Sequence, residues 1–217
     1  MRILIFGGSG GLGSLTTKLL SKNADFTVSS LSSKDVNVTS SIDIKKIIET
    51  FKPEVVLNFT VYNSDGAIHK LDEIEVKKQI DVNIVGALNI MKESLTHMRK
   101  EGFGRVIFLS SVLSTNPVFG TSIYSGSKGF IDNLVKTAAI ENAKFGVTVN
   151  SLQLGYFEAG LIDKVPPQIL ESIKSKIPFK RLGTAQELVN AINFIINTEY
   201  FSGVNLPLSG GLNLSSL

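Results

Sequence analysis

The chain has 217 residues, 43% of them hydrophobic, with a net charge of +3 and no cysteine. This composition supports one α/β domain over residues 1–217, and it excludes disulfides, thiolate metal sites and a thiol nucleophile. The basic residues are scattered, His69 and His97 lack ligand spacing, and no apolar run approaches the roughly 18 residues of a membrane span. We therefore expect a cytoplasmic protein without nucleic acid, metal or membrane as partners.

Short apolar runs alternate along the chain with longer segments of helical spacing. This alternation predicts an α/β fold, a single-domain Rossmann-type doubly wound parallel sheet of about seven strands with helices on both faces. The predicted strands are Ile3–Phe6, Phe26–Leu31, Val36–Val38, Val55–Thr60, Val106–Ser110, Val147–Leu152 and Gly203–Leu208. The predicted helices are Leu12–Ser21, Ser41–Phe51, Leu71–Lys100, Tyr124–Lys144, Pro167–Lys176 and Ala185–Asn197. The segment 155–183 is expected to be a substrate loop that contains a short helix.

A cluster of glycines follows the first predicted strand, where RILIF leads into GGSGGLG and then into a helix. Glycine permits a positive φ and a close approach of backbone to phosphate, and the helix N-terminus offers free N–H groups to the same anion. The glycines fit two spacings, Gly8-x-Gly10-x-x-Gly13 and Gly7-x-x-x-Gly11-x-Gly13. Either spacing, in this strand-to-helix context, predicts a dinucleotide-binding turn.

The residues after the second predicted strand bear on which dinucleotide is bound. An acidic side chain there usually holds the ribose hydroxyls of NAD. This chain instead has four serines between positions 29 and 33, including Ser30, and its Asp35 comes late. The serines and Lys34 are suited to the 2′-phosphate of NADPH, so we favour NADPH and leave NADH open.

Four polar residues in the middle of the chain form a candidate catalytic set. Tyr124 and Lys128, in IYSGSK, are one helical turn apart and leave the same face of a helix. Ser111 ends the strand RVIFLSS at the carboxyl edge of the sheet, where open α/β folds bind ligands. Asn83, in DVNIVGALN, lies on the preceding long helix.

With these motifs the chain resembles a classical short-chain dehydrogenase/reductase, nearest the 3-oxoacyl-[acyl carrier protein] reductase branch, over nearly its whole length. The resemblance rests on the glycine turn, on Asn58 and Asn83, on the interval from Ser111 to the Tyr124 and Lys128 pair, and on IPFKRLGTAQEL and FSGVNLPLSGG. It implies an NAD(P)H-dependent oxidoreductase that moves a hydride to or from a ketone or secondary alcohol. It also implies a homodimer or homotetramer.

The resemblance further implies a role for each residue of the set. Tyr124 would be the general acid/base, and the charge of Lys128 would lower the tyrosine pKa while its ammonium binds the nicotinamide ribose. Ser111 would donate a hydrogen bond to the substrate oxygen. Asn83 would hold a water that relays protons. The expected cofactor contacts are Gly7, Ser9, Gly10, Gly11, Leu12, Gly13, Ser30, Asn58, Thr60, Tyr124, Lys128 and Gly155.

The chain departs from the family pattern on the cofactor side. The usual NNAG run is Asn58-Phe59-Thr60-Val61 here, and Ala159 replaces the threonine that holds the nicotinamide carboxamide. Two alternatives to a reductase stay open. These departures favour a dinucleotide-binding scaffold or sensor without turnover, and the stretch ETFKPEVVLNFT suggests a nucleotide-sugar-modifying member of the superfamily. A β-ketoacyl thioester, a nucleotide sugar and another small ketone are all open as substrates.

Overall fold

Apolar runs of this sequence form strands that are covered on both faces. Every residue of the two central strands of the sheet, Val55–Asn58 and Gly104–Ser111, is buried. The computed structural model describes residues 1–160, 162 and 165–214. The strands in this part of the chain are β1 (Arg2–Phe6), β2 (Thr27–Leu31), β3 (Val55–Asn58), β4 (Gly104–Ser111), β5 (Val147–Leu154) and β6 (Asn205–Leu208). They form one parallel sheet in the order β2-β1-β3-β4-β5-β6. The predicted doubly wound sheet is thus confirmed, with six strands where about seven were expected.

The helices lie between the strands. Five of the predicted helices keep their bounds to within two residues, and the helix predicted over Leu71–Lys100 is divided in two. They are α1 (Gly11–Leu20), α2 (Ser41–Phe51), α3 (Glu73–Ile80), α4 (Gly86–Glu101), α5 (Ser122–Asn142), α6 (Pro167–Lys176) and α7 (Ala185–Asn197). The start of α7 shows why a helix boundary can be predicted from sequence. The Thr184 hydroxyl accepts from the Glu187 N–H, and the Glu187 carboxylate accepts from the Thr184 N–H. Such a reciprocal cap is encoded locally in the sequence.

Two apolar layers cover the two faces of the sheet. Side chains alternate along each strand, so Leu4 and Phe6 join the layer that packs against α2, α4 and α5. Ile3 and Ile5 point the other way, into the layer that packs against α1 and α7. Both faces of the sheet are therefore filled, and its carboxyl edge is left to carry the functional groups.

The predicted strand at Val36–Val38 is wrong. Val36 is buried in the core and Val38 packs beside it, but the carbonyls of Val38 and Thr39 accept hydrogen bonds from the Asn89 amide of α4, both at 3.1 Å. The backbone there is paired with a helix side chain rather than with a neighbouring strand, so the sheet ends at β2. The apolar pattern of this run predicted burial correctly and pairing incorrectly.

The sheet has its switch point at β1. The chain steps from β1 to β2 on one side and returns to β3 on the other, so the turns after β1 and β3 meet in a crevice at the carboxyl edge, where open α/β sheets bind ligands. On the same edge, Ser111 at the end of β4 is in register with Leu154 at the end of β5. No helix in the described part of the chain is both long and apolar enough to cross a bilayer.

Candidate active site

The glycine turn after β1 closes around backbone atoms and leaves no room for side chains. Gly7 has a φ of +78°, and a Cβ added to it would lie 2.8 Å from the backbone of Phe59 and Thr60. A Cβ on Gly13 would lie 2.5 Å from the Gly7 carbonyl oxygen, whereas one on Gly10 would make only an ordinary contact at 3.6 Å. The geometry thus needs glycine at the first and last positions of the Gly7-x-x-x-Gly11-x-Gly13 spacing.

The turn leads directly into the N-terminus of α1. No side chain caps this end of the helix at Gly10, and Gly11 and Leu12 form its first turn after the exposed Ser9. Uncapped N–H groups and the positive end of the helix dipole suit a phosphate. The residues present therefore fit the pyrophosphate of a dinucleotide, which would lie against Gly7–Gly13.

Ser30 lies beside this turn on β2. A Cβ on Gly8 would lie 2.0 Å from the Ser30 hydroxyl oxygen, so Gly8 lets this serine approach the turn. The nearest acid is already engaged, because the Asp35 carboxylate accepts from the N–H and the hydroxyl of Ser32 at 2.7 and 2.6 Å. These hydrogen bonds lower the pKa of Asp35.

Asn58 and Thr60 shape the chain that leaves β3. The buried Asn58 amide oxygen accepts from the Thr60 N–H at 3.0 Å and from the Thr60 hydroxyl at 2.6 Å. This local turn presses the backbone of residues 59 and 60 against Gly7. Val61, bulky where the family has glycine, points outward with 38% of its surface exposed.

Tyr124 and Ser111 face each other across the end of β4. Burial raises the pKa of Tyr124, and a hydrogen bond from the Ser111 hydroxyl opposes this rise, while the nearby Asp65 and Tyr156 reinforce it. The Ser111 oxygen already accepts from the Leu113 N–H at 3.1 Å. Its hydroxyl hydrogen is therefore free to be donated towards the tyrosine or a substrate oxygen.

Lys128 is buried one turn after Tyr124. Its Nζ donates to the Leu109 carbonyl of β4 at 2.8 Å and lies 5.6 Å from the centre of the Tyr124 ring. Burial lowers the pKa of Lys128 to about 8, against a rise caused by the charge of Asp132. The structure thus brings Ser111, Tyr124 and Lys128 together at one point of the carboxyl edge.

Asn83 lies in a π-helical turn, Asp81–Val85, that interrupts the single helix predicted from Leu71 to Lys100. Such turns are frequent at functional sites. The Asn83 amide accepts from the Tyr62 N–H and donates to the Tyr62 carbonyl, both at 2.8 Å, so it fixes the loop after β3. Because the side chain is occupied by Tyr62, a relay water at Asn83 would have to bind its backbone.

The ends of β5 and β6 close the other side of the site. Gly155 donates its N–H to the Leu208 carbonyl at 3.0 Å, and a Cβ on it would lie 2.8 Å from the Ser209 Cα. A cavity of about 200 Å³ lies here, lined by Tyr156, Phe157, Phe179, Arg181, Gly183, Glu187, Leu208, Ser209 and Gly210. The predicted substrate loop borders this cavity, and its residues 161, 163 and 164 lie outside the described part of the chain.

Two acids near the site were not predicted from the sequence. Asp65 lies in the loop after β3, where no spacing connects it with Tyr124. Asp132 is different, because it follows Lys128 by four residues on the same helix. That spacing was a usable signal.

The family model described as Enoyl-(Acyl carrier protein) reductase matches residues 17–213. The chain belongs to the short-chain dehydrogenase/reductase family. An acetoacetyl-CoA reductase of Allochromatium vinosum is 31% identical over 172 residues, which cover 78% of this chain and 70% of the relative. A 3-oxoacyl-[acyl-carrier-protein] reductase FabG of Thermotoga maritima is 26% identical over 96% of each chain. The predicted family and its 3-oxoacyl reductase-like branch are thereby confirmed.

Among solved structures, "ElxO with NADP Bound" superposes with a TM-score of 0.86 over 97% of this chain and 98% of that chain, at 22% identity. This similarity shows the fold. The family match and the reductase relatives make the protein an NAD(P)-dependent short-chain dehydrogenase/reductase that acts on a keto or alcohol group, with NADPH or NADH as its cofactor.

Proposed function

We propose that the protein is a cytoplasmic, NADPH-dependent reductase of a ketone, with Tyr124 as its general acid/base. The observation that carries this proposal is the grouping of the buried Ser111 and Lys128 with the half-buried Tyr124 at the edge of the sheet that also bears the glycine turn. The names of relatives, acetoacetyl-CoA reductase and 3-oxoacyl-[acyl-carrier-protein] reductase, support a β-ketoacyl thioester as the substrate class.

Ser111, Tyr124 and Lys128 have different roles in proton transfer. Ser111 donates its free hydrogen to the substrate carbonyl oxygen and so holds that oxygen beside Tyr124. Tyr124 delivers its proton to the oxygen as negative charge develops there. The bound nicotinamide supplies the hydride. The Lys128 ammonium keeps two further N–H donors besides the one on Leu109, and its charge stabilises the phenolate left behind.

The electrostatics of the site without cofactor hold Tyr124 in its acid form. Burial, Asp65 and Tyr156 raise the pKa of Tyr124, so the resting enzyme keeps this residue protonated at neutral pH. A reductase needs that form before hydride transfer. For the reverse reaction the ordinary tyrosine pKa of about 10 would have to fall by about 3 units, or roughly 4 kcal/mol, to give a base at neutrality.

The roles are tested with Tyr124→Phe, using acetoacetyl-CoA and NADPH as the probes. Removing the phenol should lower kcat by about 10²- to 10⁴-fold, the usual range for a general acid, and leave NADPH affinity unchanged. Tyr200→Phe is the matched control, because Tyr200 is fully exposed and should tolerate the same loss of a hydroxyl. Turnover in Tyr124→Phe equal to that of the control would show that Tyr124 is not the acid.

The preference for NADPH rests on the surroundings of Ser30. This serine hydroxyl adjoins the turn, while the Asp35 carboxylate that could hold a ribose hydroxyl is bonded to Ser32. The chain has no Trp, so nicotinamide fluorescence reports on the cofactor alone when protein is added to NADPH or NADH. Tighter binding of NADPH is expected, and tighter binding of NADH would reverse the preference. Binding without turnover of any carbonyl probe would favour the sensor alternative.

We also propose that the enzyme is a homodimer or homotetramer. Apolar side chains are exposed along α3, the π-helical turn and α4, namely Ile74, Ile80, Val85 and Leu88. Covering such a row would remove apolar surface from water. Sedimentation at micromolar concentration should give a mass of two or four chains, and a monomer would contradict the proposal.

A further inference from the structure

Asp132 is an acid in the interior of the protein, on the inward face of α5. Only 5% of its surface is exposed. One carboxylate oxygen accepts from the Ser151 hydroxyl at 2.9 Å, and the other accepts from the Gln153 amide at 2.7 Å. Both partners lie on β5 and are neutral. Acids are almost never buried this deeply without a compensating cation.

No Lys, Arg or His of the described residues forms an ion pair with Asp132. The nearest inward cation is Lys128, one helical turn earlier on α5 and itself almost fully buried. Asp132 is the charged side chain that acts on Lys128, and its effect opposes the burial that lowers the pKa of this lysine. The two groups are therefore coupled through a dry interior without touching.

Charged groups on the other elements around this pair have partners of their own. On α4, Glu93 accepts from the Ser41 hydroxyl and pairs with Lys92, and in the π-helical turn Asp81 pairs with Lys77. β4 and β5 present backbone, hydroxyl and amide groups, and their charged residue Arg105 lies at the opposite end of β4, bonded to Glu199. From α3, Glu75 is bonded by the Tyr62 hydroxyl and Lys78 lies over the Tyr62 ring. Asp65 and Tyr156 act on Tyr124, and the next charged residue of α5, Lys136, is exposed.

We propose that Asp132 is a positioning residue of the reaction, whose buried carboxylate keeps Lys128 in its ammonium form and thereby keeps a cation beside Tyr124. This inference rests on the proposed roles of Tyr124 and Lys128. Lys128 with a pKa of about 8 is mostly charged at neutral pH, and loss of the neighbouring anion would move that pKa towards neutrality and leave a large share of the lysine uncharged. A neutral amine would no longer stabilise the phenolate that proton transfer creates.

A purely structural role would not require the charge. An asparagine has the same shape and could still accept from Ser151, while the Gln153 amide can turn its oxygen towards the new N–H groups. Burying an ionised carboxylate is costly where an amide would fill the space. The charge itself is therefore the feature that needs an explanation, and the lysine one turn away provides it.

The test is Asp132→Asn, read first by NMR of carbon-13-labelled lysines in the protein without cofactor. The Lys128 signal is assigned by its loss in Lys128→Arg. We expect the pKa of Lys128 to fall by about 1 unit, as for loss of a nearby opposite charge. The control is Ser151→Ala, which removes a hydrogen bond from the same carboxylate but keeps its charge, and it should leave this pKa in place. An unchanged pKa in Asp132→Asn would overturn the inference.

The second readout is the pH dependence of kcat/KM for acetoacetyl-CoA with NADPH. Reduction needs the ammonium, so activity falls as the pH rises through the pKa of Lys128, and a lower pKa moves this alkaline limb to lower pH in Asp132→Asn. A uniform loss of activity at every pH, with the limb unmoved, would indicate a structural role and contradict the proposal.

A second variant covers the case in which Asp132→Asn does not fold. Asp132→Ser removes the same charge with a smaller side chain that keeps a hydroxyl near Ser151 and Gln153, so the pKa of Lys128 should again fall by about 1 unit, read by the same carbon-13 NMR of labelled lysines. An unmoved Lys128 pKa in this variant would overturn the inference. The NMR titrations need no turnover. Turnover retained in Tyr124→Phe would instead contradict the proposed function and leave the electrostatic coupling as measured.

Discussion

The glycine turn after β1 and the first turns of α5 serve the same site but are built in opposite ways. The turn depends on the absence of side chains, since Cβ atoms added at Gly7 and Gly13 would overlap backbone atoms. The start of α5 depends on the side chains that are present, since it carries the half-buried Tyr124 and the buried, ionisable Lys128 and Asp132. In the proposed function, backbone groups recognise the dinucleotide, whereas proton transfer depends on buried charges.

This difference separates the effects expected from substitutions. In the turn, a change acts through shape, because backbone atoms cannot move aside as a flexible side chain can. On α5, a change of nearly identical shape acts through charge and appears as a shift with pH. Steric variants should therefore be insensitive to pH, and electrostatic variants should keep the cofactor site intact.

The largest effect is expected for Gly13→Ala, which tests whether the glycine turn depends on the absence of a side chain. The new Cβ would lie 2.5 Å from the Gly7 carbonyl oxygen, so the turn must open. Overpacking of this kind costs about 1–3 kcal/mol of stability, and a turn displaced from the pyrophosphate should lose at least about tenfold in NADPH affinity. Urea unfolding and nicotinamide fluorescence measure the two losses. Unchanged affinity would show that the cradle does not depend on this glycine.

Local signals allowed the helices and most strands to be predicted. The bounds of α2, α6 and α7 agree with the prediction because their starts are marked by Ser40, by Pro167 and by the Thr184 cap. The run at Val36–Val38 was misassigned because β-branched residues indicate burial equally well beside a strand or beside a helix. Which neighbour covers such a run depends on residues far away in sequence.

The sequence pattern predicts that the candidate catalytic side chains lie together, but not the contacts that each of them makes. The spacing of Tyr124 and Lys128 placed both on one face of a helix, as the structure shows. The hydrogen bond from Lys128 to the Leu109 carbonyl, and the pairing of Asn83 with Tyr62, depend on how separate elements pack. No local pattern contains that information, and the same is true of Asp65 beside Tyr124.

An intermediate effect is expected in the pH dependence of stability, which tests the burial of the Lys128 charge in α5. The pKa of Lys128 is about 8 in the folded protein against an ordinary value of 10.5, so the unfolded chain binds more protons between these values. Stability contributed by this group is therefore lowest below about pH 8 and recovers as the pH rises towards 10.5, by up to about 1.4 kcal/mol per unit.

Urea unfolding across that pH range should show this slope in Tyr124→Phe and lose it in Tyr124→Phe with Lys128→Met. The shared Tyr124→Phe background removes the titration of the neighbouring phenol from the comparison. Equal slopes in the two proteins would mean that burial of Lys128 does not depress its pKa.

The smallest effect is expected for Gly126→Ala, which makes the same glycine-to-alanine change at the start of α5. Gly126 lies between Tyr124 and Lys128 in α5, exposed and with no atom within 4 Å of an added Cβ. Glycine in a helix interior costs about 0.5–1 kcal/mol relative to alanine, so urea unfolding should show a gain of that size. NADPH affinity and the pKa of Lys128 should stay as they are. A loss of affinity here would mean that α5 also depends on a missing side chain, and the contrast between the two regions would no longer hold.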